Sequence, residues 1–178
     1  MYPDCDEILK MAPDYDIIPV CREIYADVIT PITLLRKLAT VSKRYYLLES
    51  VEGGEKWGRY SFLGFDPVMR VKCSCGKVTI EKDGEETEKV TDKPLEVLRE
   101  ILKDYKAPRL AGLSPFAGGF VGYFAYAMIG YAEPKLKIKK GTFNDYDMML
   151  FDKVIAYDHL KQKISIIVNM KTDKVMEN

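Results

Sequence analysis

Apolar segments rich in β-forming residues, separated by turn residues, recur along the sequence and constrain its fold more than any other feature. Val78–Lys82 is followed by Asp83-Gly84, a pair typical of tight hairpins because the turn needs positive φ angles that glycine tolerates. Met148–Tyr157 and Ile164–Met170 are longer apolar segments, and the loop Asp158–Gln162 between them predicts a second hairpin. Since a hairpin joins antiparallel neighbours, the sequence predicts mostly antiparallel sheets.

Two helix starts lie between the predicted strands. Thr30-Pro31 begins the first helix, because proline at the first helical position loses no hydrogen bond, and the pattern ends near Val41. Asp92 is predicted to cap a second helix that ends near Lys103. Helical spacing predicts that the inward faces carry Ile32, Leu35, Leu38 and Ala39 in the first helix and Leu95, Leu98, Ile101 and Leu102 in the second. We therefore expect the α+β class, with mostly antiparallel sheets packed as a sandwich and flanking helices.

The composition indicates a soluble globular protein and excludes several classes of partner. The 178 residues, 47% of them hydrophobic, suffice for one domain, residues 1–178, with an ordinary core. Basic and acidic residues number 27 each and the lysines are scattered, so we expect no nucleic-acid partner. The longest apolar stretch, Phe116–Met128, contains three glycines and is shorter than the roughly 20 residues that cross a bilayer. The N-terminus does not resemble a secretory signal. We therefore expect no membrane partner and a cytoplasmic location.

No residue pattern in the sequence is a convincing catalytic or metal site. The single histidine, His159, lies in the predicted hairpin loop, where a turn residue is favoured over a general base. Cys73-x-Cys75 lacks the spacing of a zinc site, so reduced thiols that are buried or half-buried are favoured for the four cysteines. Gly118-Gly119-x-x-Gly122 is not followed by the Lys-Ser/Thr of a phosphate loop, so close backbone packing is the favoured reason for these glycines.

One polar group within an apolar strand is the strongest candidate for a binding site. Glu49 and Ser50 lie in the predicted strand Tyr45–Val51, and an unpaired buried carboxylate there would be costly. Arg59, on the next extended segment, either pairs with Glu49 across a hairpin or binds the carboxylate of a zwitterionic ligand whose ammonium group faces Glu49. Neighbouring residues of a regular strand point to opposite faces, so Glu49 and Ser50 can share a ligand only at a strand end or a bulge, or if one of them acts through its backbone.

The sequence around these residues resembles the anthranilate synthase component I family. The family has a strand reading L-L-E-S and then G-R-Y-S-F-x-G, and here the matching segments are Leu47-Leu48-Glu49-Ser50 and Gly58-Arg59-Tyr60-Ser61-Phe62-Leu63-Gly64. Further matches cover nearly the whole chain, including Pro115–Phe124 and a hairpin that ends in Asp158-His159.

The resemblance implies the first committed step of tryptophan synthesis, in which chorismate and ammonia give anthranilate and pyruvate. It implies that the chorismate and Mg²⁺ residues lie in a C-terminal domain absent from this sequence, so that residues 1–178 alone form an inactive N-terminal regulatory domain without a cofactor of its own. L-tryptophan is the implied effector, bound by Ser50 with Glu49 and Leu48 beside it, and a glutamine amidotransferase subunit is the implied partner. Arg59 is our addition to this site, from its charge and proximity.

Two other functions stay open from the sequence. The large subunit of aminodeoxychorismate synthase shares the architecture but matches less well across L-L-E-S and G-R-Y-S-F. A stand-alone amino-acid-binding module could also keep this fold without contacting chorismate.

Overall fold

The computed structural model of the chain describes residues 1–50, 58–133, 135–136, 138, 141–173 and 175. The chain divides into two compact units, each with a five-stranded sheet. The first unit comprises Met1–Pro67, Tyr105–Gly119 and Phe151–Asn178, and the second comprises Val68–Asp104 and Phe120–Leu150. That residues 1–178 act as one regulatory domain stays a prediction.

The described residues form four α-helices, a short 3-10 helix at Tyr126–Met128 and ten strands. The helices are α1 (Cys5–Met11), α2 (Pro31–Val41), α3 (Pro94–Lys103) and α4 (Ile129–Ala132). The strands are β1 (Ile17–Tyr25), β2 (Tyr45–Leu48), β3 (Tyr60–Phe65), β4 (Met69–Ser74), β5 (Lys77–Lys82), β6 (Glu85–Val90), β7 (Gly119–Phe124), β8 (Tyr146–Phe151), β9 (Lys153–Asp158) and β10 (Lys163–Lys171). The predicted α+β class with antiparallel sheets is confirmed.

The first sheet has the strand order β1-β10-β9-β3-β2, and each neighbouring pair is antiparallel. Helix α1 begins at a capping box in which Asp4 and Glu7 each accept a backbone N–H of the other, and its Ile8 packs with Ile18 of the sheet. Helix α2 spans the predicted residues, and its Leu34 packs against Tyr157 and Ile164. These helices bury apolar side chains of the first sheet.

The predicted inward face of α2 is wrong in part. Leu38 is buried as predicted, but Ile32 and Ala39 are exposed. Pro31 and Leu38 are the buried residues of this helix, and their spacing of seven places them on one side of it. The helical spacing of the apolar residues fits two faces of α2 that differ by one residue. Packing against the sheet buries the face that carries Pro31 and Leu38.

The second sheet has the strand order β6-β5-β4-β8-β7. Its predicted tight hairpin is confirmed, because Asp83 and Gly84 have φ angles of 53° and 82° between β5 and β6. The predicted cap of α3 is wrong: Lys93 occupies the N-cap position and makes no side-chain hydrogen bond there. Val97 and Leu98 are buried in α3, whereas Leu95 and Leu102, predicted inward, are exposed.

The long strand predicted over Met148–Tyr157 is two strands in different sheets. β8 pairs with β4 in the second sheet, and β9 pairs with β3 and β10 in the first. The change occurs at Asp152, whose carbonyl accepts hydrogen bonds from the backbone and the side chain of Asn169 at 2.8 and 3.0 Å. A continuous apolar run shows that residues are buried but not which sheet buries them, so the sequence could not reveal this switch.

Gly118 and Gly122 near β7 pack closely against neighbouring atoms, as predicted, whereas the prediction is wrong for Gly119, where an added Cβ atom would lie 4.0 Å from Cε2 of Phe116. A Cβ atom on Gly122 would lie 2.0 Å from the carbonyl oxygen of Asp147 and 2.8 Å from the Cα of Met148. Gly118 has a φ of 145°, and a Cβ there would lie 2.5 Å from the side-chain amide nitrogen, Nδ2, of Asn169. Both positions therefore exclude larger residues for structural reasons.

Among the described residues, no helix is long and apolar enough to cross a bilayer.

Candidate functional site

Polar side chains gather where β2 ends, β3 begins and β9 ends, three neighbouring strands of the first sheet. The register pairs Leu48 with Phe62 and Tyr60 with Asp158. Because the strands are antiparallel, the end of β2, the start of β3 and the end of β9 lie at the same edge of the sheet. Residues just beyond these ends can therefore contact one another without breaking the strand pairing.

Arg59 and Asp158 form a charge-assisted pair at this edge. Arg59 Nη2 donates to Asp158 Oδ2 at 2.6 Å, and Arg59 Nε lies 3.2 Å from both carboxylate oxygens. Asp158 Oδ1 also accepts the backbone N–H groups of Leu160 and Lys161 at 3.0 Å each, which fixes the β9–β10 loop. The guanidinium lies 4.9 Å from the ring centroid of Tyr60. The pair thus links the start of β3 to the end of β9.

The environment of Asp158 favours its charged form. Burial alone would raise the pKa of this carboxyl group, but the hydrogen bonds from Arg59 and from the loop N–H groups outweigh burial and lower the pKa. The same hydrogen bond from Arg59 to the carboxylate raises the pKa of the guanidinium. The Asp158 carboxylate and the Arg59 guanidinium are therefore both charged at neutral pH.

A second set of contacts joins Glu49 to the sheet. The Ser61 side chain is fully buried, and its Oγ donates to Glu49 Oε1 at 3.1 Å. On the other side, Ser61 Oγ lies 2.7 Å from His159 Nε2. The His159 ring packs against Tyr157 with a centroid distance of 4.7 Å. A buried hydroxyl therefore connects an exposed carboxylate to the histidine of the β9–β10 loop.

Comparison with curated proteins identifies relatives of this chain. Anthranilate synthase component 1 of Acetivibrio thermocellus is 43% identical over 179 residues, which cover 99% of this chain and 36% of that protein. The protein of the same name from Pseudomonas aeruginosa is 39% identical over 92% of this chain and 34% of its own length. The chain is homologous to anthranilate synthase component I over nearly its whole length.

A solved structure supports the same assignment. The crystal structure of anthranilate synthase component I from Streptococcus pneumoniae TIGR4 matches with a TM-score of 0.52 and 27% sequence identity, over 85% of this chain and 32% of that one. A comparison with models of protein families gave no match. The chain spans about a third of the length of the curated relatives that it matches.

The segment that resembles the family motif L-L-E-S lies at the end of β2. Leu48 is the last residue of the strand, and Glu49 and Ser50 follow it; all three are exposed. The strand end that a shared ligand requires is therefore present at Glu49 and Ser50. Arg59 is half-buried just before β3. That these four residues bind an effector stays a prediction.

Of the two arrangements open for Arg59, its pairing with Glu49 is wrong, because Arg59 pairs with Asp158 and Glu49 accepts from Ser61. Sequence reasoning missed Ser61, Asp158 and His159 as members of this group. The signal was present, since Ser61 lies in the segment that resembles G-R-Y-S-F and the other two form the Asp-His that ends a hairpin. His159 does lie in the predicted turn between β9 and β10.

Metal-binding chemistry has no support in the part of the chain that the structure describes. No group of three His, Cys, Asp or Glu side chains there could hold a metal ion. Four free cysteines are described: Cys21 and Cys73 are buried as expected, whereas the expectation is wrong for Cys5 and Cys75, which are exposed. The Mg²⁺ that the family resemblance implies is therefore not assigned to any of the described residues.

Proposed function

We propose that this chain is the N-terminal, tryptophan-sensing part of an anthranilate synthase component I. The complete protein would convert chorismate and ammonia to anthranilate and pyruvate, with ammonia supplied from glutamine by an amidotransferase subunit. Homology to anthranilate synthase component I supports the reaction, and the arrangement at the end of β2 supports the sensing role. Chorismate binding, Mg²⁺ and the cytoplasmic location belong to this proposal for the complete protein, and the chain alone is proposed to be inactive.

The observation that carries the sensing role is the exposed Glu49 carboxylate, held at a strand end by the buried Ser61. A carboxylate in that position can accept the ammonium group of an amino acid through a charge-assisted hydrogen bond. Ser50 follows directly and can donate or accept through its hydroxyl, and the exposed Leu48 side chain offers an apolar contact. The amino-acid effector thus meets polar and apolar groups within three residues.

Arg59 contributes to this site while it stays paired with Asp158. A guanidinium has five N–H donors, and the bonds described for Arg59 use Nε and Nη2. Nη1 is proposed to donate to the carboxylate of the effector. The Asp158 charge would keep the guanidinium in a fixed orientation for that contact.

Inhibition would follow from linkage between the effector site and the catalytic arrangement. An effector that favours a low-activity arrangement must bind that arrangement better than the active one. In this proposal the chain supplies only part of the effector's contacts, and the rest of the protein supplies the others.

The decisive experiment replaces Ser50 by Phe in the complete gene product that carries this sequence. The bulky ring would block the effector, so we expect the tryptophan concentration for half-maximal inhibition of anthranilate formation to rise at least about tenfold, which corresponds to about 1.4 kcal/mol. Ser74→Phe, at the exposed end of β4 in the other unit, is the matched control and should leave inhibition unchanged. Unchanged inhibition in Ser50→Phe would remove Ser50 from the site, and formation of aminodeoxychorismate instead of anthranilate would contradict the assigned reaction.

A further inference from the structure

Glu49 lies beyond the last paired residue of β2, so backbone pairing does not fix its side chain. Its described partner is the hydroxyl of Ser61, which is buried within β3 and cannot exchange that bond for water without local opening. The orientation of the exposed carboxylate therefore depends on the orientation of this hydroxyl.

The count of protons sets the direction of the bond between Ser61 and His159. A serine hydroxyl has one proton, and a carboxylate can only accept, so the proton of Ser61 Oγ is directed to Glu49 Oε1. The contact of 2.7 Å between Ser61 Oγ and His159 Nε2 must then use a proton on the histidine nitrogen. His159 donates to Ser61, and Ser61 donates to Glu49.

His159 is itself held firmly in the β9–β10 loop. Its backbone N–H donates to the Arg59 carbonyl at 2.9 Å, and its own carbonyl accepts from Gln162 Nε2 at 2.7 Å. The ring packs on Tyr157, which has buried neighbours in the sheet. The ring nitrogen that reaches Ser61 is therefore anchored by the backbone and by packing.

We infer that His159 is a positioning residue for the effector site: through Ser61 it orients Glu49 to receive the ammonium group of an amino acid. This inference rests on the proposed function. The bond from Ser61 occupies Oε1, and within the described residues Oε2 accepts no hydrogen bond. Oε2 is thus the oxygen presented to the ammonium group, and a rotated carboxylate would present it poorly.

The test measures tryptophan inhibition of the complete gene product in variants of His159 and Ser61. His159→Phe keeps a ring on Tyr157 but removes the donor, and we expect the half-inhibitory tryptophan concentration to rise about fivefold, the effect of one lost hydrogen bond. His159→Gln keeps an N–H donor near the position of Nε2 and should return inhibition to within about twofold of the parent. Lys161→Ala, an exposed change in the same loop, is the control and should have no effect.

A double variant separates positioning from a general disturbance of the loop. Ser61→Ala removes the bridge and should weaken inhibition about fivefold, and adding His159→Phe should then change nothing further, because its path to Glu49 is already broken. Multiplied effects of about 25-fold in the double variant, or no rescue by His159→Gln, would overturn the inference.

Glu49→Gln distinguishes failure of this inference from failure of the proposed function. If Glu49→Gln weakens tryptophan inhibition and His159→Phe does not, the positioning role is wrong and the effector site stands. If neither Glu49→Gln nor Ser50→Phe changes inhibition, the effector site itself is wrong, and the positioning role fails with it.

Discussion

Each unit of the molecule contains an Arg–Asp pair, and the two pairs are closely matched. Arg59 and Asp158 in the first unit are joined at 2.6 Å, with side chains 27% and 8% exposed. Arg70 and Asp147 in the second unit are also joined at 2.6 Å, with side chains 26% and 10% exposed. Distance and burial therefore do not distinguish the pair at the proposed effector site from the pair in the second unit.

What differs is the position of each pair on its sheet. Arg70 and Asp147 belong to the paired strands β4 and β8, and Asp147 also lies 3.4 Å from the side-chain amide of Asn144. Arg59 lies just before β3 begins, and Glu49 and Ser50 follow the end of β2, the antiparallel neighbour of β3. Beyond the end of β2, Glu49 and Ser50 are exposed and can accept a ligand, whereas no strand end lies within the paired segments of Arg70 and Asp147. The comparison shows that position at a strand end, more than the pair itself, creates the candidate site.

The largest expected effect is on stability, from removing either aspartate. Asp158→Ala loses bonds from Arg59 and from two loop N–H groups, so we expect the free energy of unfolding to fall by about 2–4 kcal/mol. Asp147→Ala loses the bonds from Arg70 and should cost about 1–3 kcal/mol. Urea unfolding of the two variants gives both values.

The same two variants test whether only one pair serves the effector. Tryptophan inhibition of the complete gene product should weaken in Asp158→Ala, because Arg59 loses its orientation, and stay unchanged in Asp147→Ala. Equal weakening in both variants would mean that general loss of stability, and not the position of the pair, controls the response.

A smaller effect is expected from replacing the guanidinium by an ammonium group. Arg59→Lys keeps the positive charge but loses the planar guanidinium, in which Nε and Nη2 bond Asp158 while Nη1 is proposed to contact the effector. We therefore expect the half-inhibitory tryptophan concentration to rise about threefold to tenfold. Arg70→Lys is the matched control, since it makes the same chemical change in a pair of equal burial. If Arg59→Lys and Arg70→Lys give the same inhibition curve, Arg59 does not contact the effector.

Much of the fold could be predicted because its signals are local. Asp83-Gly84 specifies its own turn, and Thr30-Pro31 begins α2 at the predicted residue. The predictions that were wrong depend on tertiary packing: the exposed Ile32 and Leu95 lie at helical spacing that fits more than one face, and the switch at Asp152 depends on which strands β8 and β9 pair with.

The candidate site, like the fold, could be predicted from the sequence only in part. Glu49, Ser50 and Arg59 were found because they interrupt apolar segments that are near one another in sequence. Their bonding partners were not found, since Asp158 is 99 positions from Arg59 and His159 is 98 positions from Ser61. Only the register of β3 against β9, which the sequence did not specify, brings these residues together.

The smallest expected effect is the dependence of stability on pH through Asp158. The pKa of this carboxyl group is lower in the folded chain than its ordinary value of 3.8: burial raises it, but the bonds from Arg59 and the loop lower it further. The unfolded state therefore binds the proton first, so the stabilisation from Asp158 is fully present above that ordinary pKa and is lost as the pH falls through it towards the folded-state pKa. In Asp158→Asn this contribution is missing at every pH, so the difference in unfolding free energy between parent and variant should narrow from pH 6 to pH 3. Urea unfolding at several pH values measures that difference. Asp158→Ala should show the same narrowing, because it also lacks the titrating group. A difference in unfolding free energy that stays constant with pH would show that Arg59 does not stabilise the charged form of Asp158.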